Sequence, residues 1–311
     1  METALVTGAA GFIGSHLVED LLDRGWTVRG LDDLSAGDRA NLEPVIDHDA
    51  FRFVEGDVRD PAVVGETMDG VDCVFHQAAV ASVPKSFDRP RAMTETNCTG
   101  TATVLEATAD AGVESAVVAS SSAVYGSGGE LPKREDMSVA PESPYALSKY
   151  YTEQLALQLG EHHGIDVTAL RYFNVFGPRQ DPQGEYAAVI PKFIELLLAD
   201  ERPIIYGDGE QTRDFVYVGD VVQANRLAVE SDTGGGVLNV ARGERTSINE
   251  LVERLNAILG TDIDPKYDEP RPGDIRHSGA DVSKAREVLG YEPGVNLESE
   301  LERTVQFFQE R

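Results

Sequence analysis

The chain has 311 residues, 41% of them hydrophobic, and carries 54 acidic against 27 basic side chains for a formal net charge of -27. No apolar run approaches the ~18 residues of a membrane-spanning helix, and such an excess of acid repels both nucleic acid and anionic membranes. Its only cysteines are Cys73, inside an apolar stretch, and Cys98, which excludes a disulfide framework; with no basic or cleavable apolar leader at the start, a reducing cytoplasm is expected.

A short apolar run from Thr3 breaks into Gly8, Gly11 and Gly14 and then turns helical, with Ile13, Leu17 and Leu21 at helical spacing. Glycines so spaced allow a tight turn and a close approach of pyrophosphate to the backbone. The following helix offers free N–H groups and the positive end of its dipole. A second strand, residues 26–31, runs into Asp32-Asp33 about 20 residues on, where a carboxylate accepts ribose hydroxyls and repels a 2′-phosphate, so the cofactor expected is NAD rather than NADP.

Strands expected at residues 51–54, 71–75, 115–119 and 167–171 alternate with helical patterns, and an apolar stretch at 237–240 rejoins them after a helix at 220–230. This predicts an α/β fold, a doubly wound parallel (Rossmann) sheet of about seven strands. Loop signals at Gly177-Pro178, Asp181-Pro182 and Gly207-Asp208-Gly209, then helices at 248–259 and 297–308, predict a smaller α+β substrate domain. The two interleave, with residues 1–173 plus about 214–241 binding the dinucleotide and about 174–213 plus 242–311 the substrate.

Tyr145 and Lys149 lie four apart at the start of a helix expected after Ser143-Pro144, so both side chains leave the same face. A phenol of pKa about 10 is a poor base at neutral pH, but a nearby ammonium and a cationic nicotinamide both favour its ionised form. Ser120-Ser121-Ser122 follows a predicted strand, at the carboxyl edge where open α/β sheets bind ligands, and a hydroxyl there can hold a substrate oxygen. The six histidines are scattered or, at His162-His163, adjacent, without metal-ligand spacing. No metal is expected, and His76 is read as structural.

On these residues the chain resembles, nearly end to end, the extended short-chain dehydrogenases/reductases, and within them the UDP-sugar 4-epimerases. The family's glycine pattern stands as Thr7-Gly-Ala-Ala-Gly-Phe-Ile-Gly14, its adenine-contacting pair as Asp57-Val58 and its strand-end signature as His76-Gln-Ala-Ala79. The resemblance implies cofactor contacts from Gly8, Gly11, Phe12, Ile13, Gly14, Asp32, Asp33, Asp57, Val58, Ala78, Asn97, Tyr145, Lys149 and Tyr172. It selects Ser121, four before the tyrosine of Val124-Tyr125-Gly126, as the catalytic hydroxyl beside Tyr145 and Lys149. Tyr172-Phe173-Asn174 resembles the segment that touches nicotinamide and sugar phosphate.

On the substrate side, the resemblance implies that Tyr206 stacks the uracil and that Arg213 and Arg271 grip the pyrophosphate, a task suited to the guanidinium fork. Asn174, Val189 and Asp274 belong to the same implied set. Ser278 falls where relatives place a wall beside carbon 2 of the sugar, and a small residue there leaves room for an N-acetyl group. Ser82 resembles a serine of relatives specialised for acetylated sugars; for Ser278 the competing reading is a cap on the helix expected after Ala280.

Related 4,6-dehydratases carry Asp-Glu after the catalytic hydroxyl, and related decarboxylases keep an acid there, whereas this chain reads Ser121-Ser122-Ala123. The implied reaction is therefore reversible oxidation and epimerisation of a UDP-hexose at carbon 4. A dehydratase or decarboxylase is the alternative, and a non-catalytic NAD sensor a third, although a sensor would be expected to lose the tyrosine or the lysine. The resemblance also implies a homodimer through a four-helix interface near residues 91–111 and 144–162. The dispersed acids, with lysine only at 85, 133, 149, 192, 266 and 284, resemble those of halophilic proteins.

Overall fold

Apolar runs and capped helices alternate through the first half of a computed structural model that describes residues 2–183, 188–231, 234–270, 275–294 and 296–311. Here lie β1 (Thr3–Thr7), α1 (Phe12–Asp23), β2 (Thr27–Asp32), β3 (Phe51–Glu55), α2 (Pro61–Thr67), β4 (Cys73–His76), α3 (Val83–Asp88) and α4 (Pro90–Thr94). A π-helical turn, Glu95–Thr99, leads into α5 (Gly100–Asp110), followed by β5 (Ser115–Ser121), α6 (Pro144–His163) and β6 (Asp166–Tyr172). Then come β7 (Asn174–Phe176), α7 (Val189–Leu198), β8 (Ile204–Tyr206), β9 (Thr212–Arg213), β10 (Phe215–Tyr217), α8 (Val218–Glu230) and β11 (Gly236–Val240). The chain closes with β12 (Thr246–Ser247), α9 (Ile248–Leu259), β13 (Lys266–Asp268), α10 (Ser283–Leu289) and α11 (Leu297–Glu310).

One parallel sheet runs in the order β11-β6-β5-β4-β1-β2-β3, the doubly wound topology expected from the alternation. The order reverses at β1 and β4, and the crevice at the carboxyl ends of such strands is where these sheets bind ligands. Register brings Thr7 opposite His76 and Ser121 opposite Tyr172, so these strand ends share one edge. β4 starts at Cys73, later than expected, because Val71 and Asp72 complete a turn with Met68 O and reach Thr3 O. β5 and β6 run further than expected because their polar last residues pair with one another.

Side chains alternate across the sheet. Ala4, Val6, Phe75 and Val117 pack under α1 and α8, while Leu5, Val74, Ala116 and Val118 pack under α2, α5 and α6. A further core gathers Phe193, Ile194 and Leu197 of α7, Leu251 and Leu255 of α9 and Leu301 and Val305 of α11 around Phe176 and Phe215. The chain leaves the sheet after β6, returns for α8 and β11, and leaves again for α9. Among the described residues, no helix is long and apolar enough to cross a membrane.

Candidate active site

The glycine turn is built by close approach. Gly8 sits at φ 69°, and a Cβ on it would lie 2.8 Å from Ala78 N, while one on Gly14 would lie 2.0 Å from Gly8 O. α1 starts immediately afterwards at Phe12 and Ile13, and its N-cap, Gly11, supplies no side-chain acceptor for the first-turn N–H groups. Asp32, buried at the end of β2, accepts from Ala10 N at 2.9 Å and Leu34 N at 2.8 Å. Burial raises its carboxyl above the usual range and these amides oppose the shift. Asp32 therefore braces the turn. Asp33 is exposed and accepts from Ser35.

Asp57 is paired with Arg59, which lowers its carboxyl, and Val58 is buried against Gly100. Ala78 N donates to Thr7 Oγ1 at 3.3 Å; that hydroxyl also meets His76 Nδ1 at 2.7 Å, while His76 Nε2 meets Thr101 Oγ1 at 2.9 Å. Burial, with the Lys149 charge behind it, holds His76 down to about 3, so the imidazole is neutral and knits β1, β4 and α5 together. Asn97 lies in the π turn. It accepts from Val80 N at 2.8 Å and donates to Val80 O at 3.2 Å and Ser148 Oγ at 2.9 Å, fixing the loop after β4 to α6.

Helix α6 is set by Ser143, whose Oγ accepts from Ala146 N at 3.1 Å, and by Pro144 at its first position. Ser121, Tyr145 and Lys149 come together beside the end of β5. Burial pushes the Tyr145 phenol up, and a hydrogen bond with the Ser121 side chain opposes that rise. Lys149 is buried, donates from Nζ to Ala119 O at 2.9 Å, and is lowered by burial to about 8, with Cys98 acting in the opposite direction. Tyr172 is buried and meets Gln77 Oε1 at 3.1 Å and Asn225 Nδ2 at 2.8 Å, its phenol raised chiefly by burial.

A buried pair absent from the sequence-based expectations supports these side chains. Glu153 accepts from Arg171 Nε at 2.9 Å and NH2 at 2.6 Å, and from Ser120 Oγ at 2.8 Å. It thus joins α6 to the residues next to Ser121 and Tyr172. Its position four after Lys149, on the same helix face, was the available signal.

Further along, Asn174 opens β7 opposite Phe215, Val189 opens α7 and Tyr206 ends β8. Tyr206 and Gln211 line a cavity of about 410 Å³ with Asp268 and Pro270, and none of Ser121, Tyr145 or Lys149 borders it. Arg213 NH1 and Ser278 N donate to the same acceptor, Thr212 O, at 2.9 and 3.0 Å. Ser278 does not cap the following helix: α10 begins at Ser283, whose N–H is received by Asp281. Ser82 caps α3, accepting from Lys85 N at 3.3 Å. Arg271 and Asp274 lie outside the described residues. Among the described residues, no group of three or more His, Cys, Asp or Glu could hold a metal ion.

The profile of the NAD dependent epimerase/dehydratase family matches residues 4–241. The chain is 42% identical over 309 residues to the UDP-glucose 4-epimerase of Mycolicibacterium smegmatis, covering 99% of this chain and 98% of that one. It is 38% identical over 310 residues to a dTDP-glucose 4,6-dehydratase of Streptomyces griseus, covering 98% and 93%. Its fold superposes with a TM-score of 0.96 on the UDP-N-acetylglucosamine 4-epimerase of Methanobrevibacter ruminantium M1 solved with UDP-N-acetylmuramic acid, at 42% identity and with 99% and 98% of the two chains covered.

Proposed function

The chain belongs to the NAD-dependent epimerase/dehydratase family, and from that membership we propose that it is a UDP-hexose 4-epimerase. It interconverts UDP-glucose with UDP-galactose, and UDP-N-acetylglucosamine with UDP-N-acetylgalactosamine. The carrying observation is the placement of Ser121, Tyr145 and Lys149 at the carboxyl edge beside a glycine turn that a Cβ would fill, with Ser122-Ala123 rather than an acid after the hydroxyl.

NAD fits this cradle: the turn and the start of α1 would hold its pyrophosphate, and Asp32 its ribose. When bound, NAD supplies hydride acceptance and return at carbon 4. Tyr145 takes the proton from the 4-hydroxyl and later gives it back, Ser121 orients that oxygen, and Lys149 supplies positive charge that favours the ionised phenol. Asn174, Val189, Tyr206, Arg213, Arg271 and Asp274 bind the nucleotide and phosphates, and Ser278 with Ser82 leaves space at carbon 2. In this reading residues 1–173 with 214–241 hold NAD, and 174–213 with 242–311 hold the nucleotide sugar.

Three further features belong to the proposal. The enzyme works in the cytoplasm of a salt-rich cell, which the net charge of -27 supports. It has no nucleic-acid partner, for the same reason. It pairs as a homodimer through helices near 91–111 and 144–162. Leu147 and Tyr151 are exposed one turn apart on α6, and Val83 and Phe87 are exposed on α3, which packs against it.

The test is NMR of the products from UDP-glucose and UDP-N-acetylglucosamine, each incubated with the purified protein without added nicotinamide. A 4-epimer is expected. A 4-keto-6-deoxy product would make the enzyme a dehydratase, and unchanged substrate with bound NAD would point to a sensor.

A further inference from the structure

Asp214 follows Arg213 in the sequence and is fully buried, while Arg213 remains half-exposed, as neighbours along extended backbone project to opposite sides. Its carboxylate gathers three amides from two distant segments: Arg242 N at 2.9 Å and Gly243 N at 3.2 Å after β11, and Ala280 N at 3.1 Å. Two residues before Ala280, Ser278 N donates to Thr212 O at 3.0 Å, an oxygen that also receives Arg213 NH1 at 2.9 Å. Residues 278–280 are thus pinned on both sides of Arg213, by the Thr212 carbonyl and by the Asp214 carboxylate. Lys133 continues the seam, donating from N to Gly279 O at 2.8 Å and accepting at O from Asp281 N at 2.9 Å.

We propose that Asp214 is a positioning residue that sets the spacing between the phosphate-gripping Arg213 and the sugar wall at Ser278, and thereby the affinity for the UDP-sugar. This rests on the functional reading above. Asparagine at this position would keep one acceptor for the Arg242–Gly243 amides but turn an NH₂ toward the N–H of Ala280, so one anchor of the wall is lost. The anchor also depends on charge. Burial raises the Asp214 carboxyl to about 6, against the three amides and the Arg242 guanidinium, and Tyr291 faces it from the loop after α10. His277 is bonded through Nδ1 to Thr212 Oγ1 at 3.0 Å.

The test compares wild type and Asp214→Asn on UDP-glucose, reading KM, kcat and retained NAD between pH 5.5 and 7.5, with UDP-glucose affinity from calorimetry over the same range. At pH 7.5 the variant should show KM raised about tenfold, kcat within about threefold of wild type and NAD content unchanged. Wild-type KM and Kd should rise as pH falls through about 6 and the variant's should not. A folded variant with wild-type KM, or one that loses kcat instead, overturns the inference. If the variant does not fold, wild-type affinity that stays flat or tightens on acidification overturns it. Wild type that binds UDP-glucose but forms no 4-epimer overturns the functional reading, while the calorimetric pH dependence still decides the role of Asp214.

Discussion

Lys149 Nζ donates to the carbonyl of Ala119 at 2.9 Å, which ties the ammonium to the strand that ends two residues later in Ser121. The charge is held by β5 as well as by its own helix, so Lys149 and the Ser121 hydroxyl share one support. Glu153 reinforces that support through Ser120.

Tyr145→Phe removes one hydroxyl and leaves this scaffold untouched. Turnover should fall by at least about a hundredfold, the scale of general-base catalysis, with retained NAD and the thermal midpoint near wild type. Near-normal turnover in the purified variant would show that another group takes the proton.

Ser278→Tyr should close the space beside carbon 2. Turnover of UDP-N-acetylglucosamine should drop at least about tenfold while UDP-glucose is still converted, a discrimination made by a clash rather than a new attraction. Equal survival of both activities, or no wild-type activity on UDP-N-acetylglucosamine, would remove Ser278 from the wall.

With 54 acids against 27 bases, surface repulsion should be relieved by salt. Raising KCl from about 0.1 M to about 1 M shortens the screening length from about 10 Å to about 3 Å, and the melting temperature should rise over that range. A flat or falling midpoint would end the halophilic reading.

Glu300 is only 6% exposed, and its Oε2 has no hydrogen-bond partner. Burial first and Asp220 second raise its carboxyl from 4.5 to about 7, against Arg242 and Arg303. Between these values the folded protein holds a proton that the unfolded chain releases, so this group's contribution to stability falls as pH rises. Glu300→Gln should therefore melt above wild type at about pH 8, with the gap narrowing toward pH 5 at fixed salt. A gap independent of pH would show that ionisation of Glu300 is not what costs stability.

The parallel sheet was legible because its interior strands are runs such as Ala4-Leu-Val-Thr7, and the turn was legible because Gly8 and Gly14 leave no room for a Cβ. Less legible was everything decided by a partner distant in sequence. Ser120 reads as loop because it is polar, yet it extends β5 by pairing with Arg171 of β6 and through its bond to Glu153. The π turn around Asn97 has no local signature, since its side chain is bonded to Val80 and to Ser148 of α6. Asp214 looks like one more acid on an acidic chain until Arg242, Gly243 and Ala280 are folded onto it. Among the candidate site residues, Tyr145 and Lys149 on one helix face and the serine run 120–122 at a strand end were visible as short-range patterns, while the choice of Ser121 within that run came from the family resemblance.

β11 covers the edge of β6, and its residues Gly236–Val240 follow the whole excursion through β7, α7 and β10. During synthesis, β6 therefore leaves the ribosome as an unpaired edge and stays so until Val240 has emerged. Helices α1 to α6 can dock before then, but the sheet cannot close, and its exposed N–H and C=O groups are open to a neighbouring nascent chain. A gene fragment ending soon after β6 should accordingly yield aggregate rather than a free-standing dinucleotide-binding unit, and supplying residues 214–241 on the same polypeptide should restore solubility.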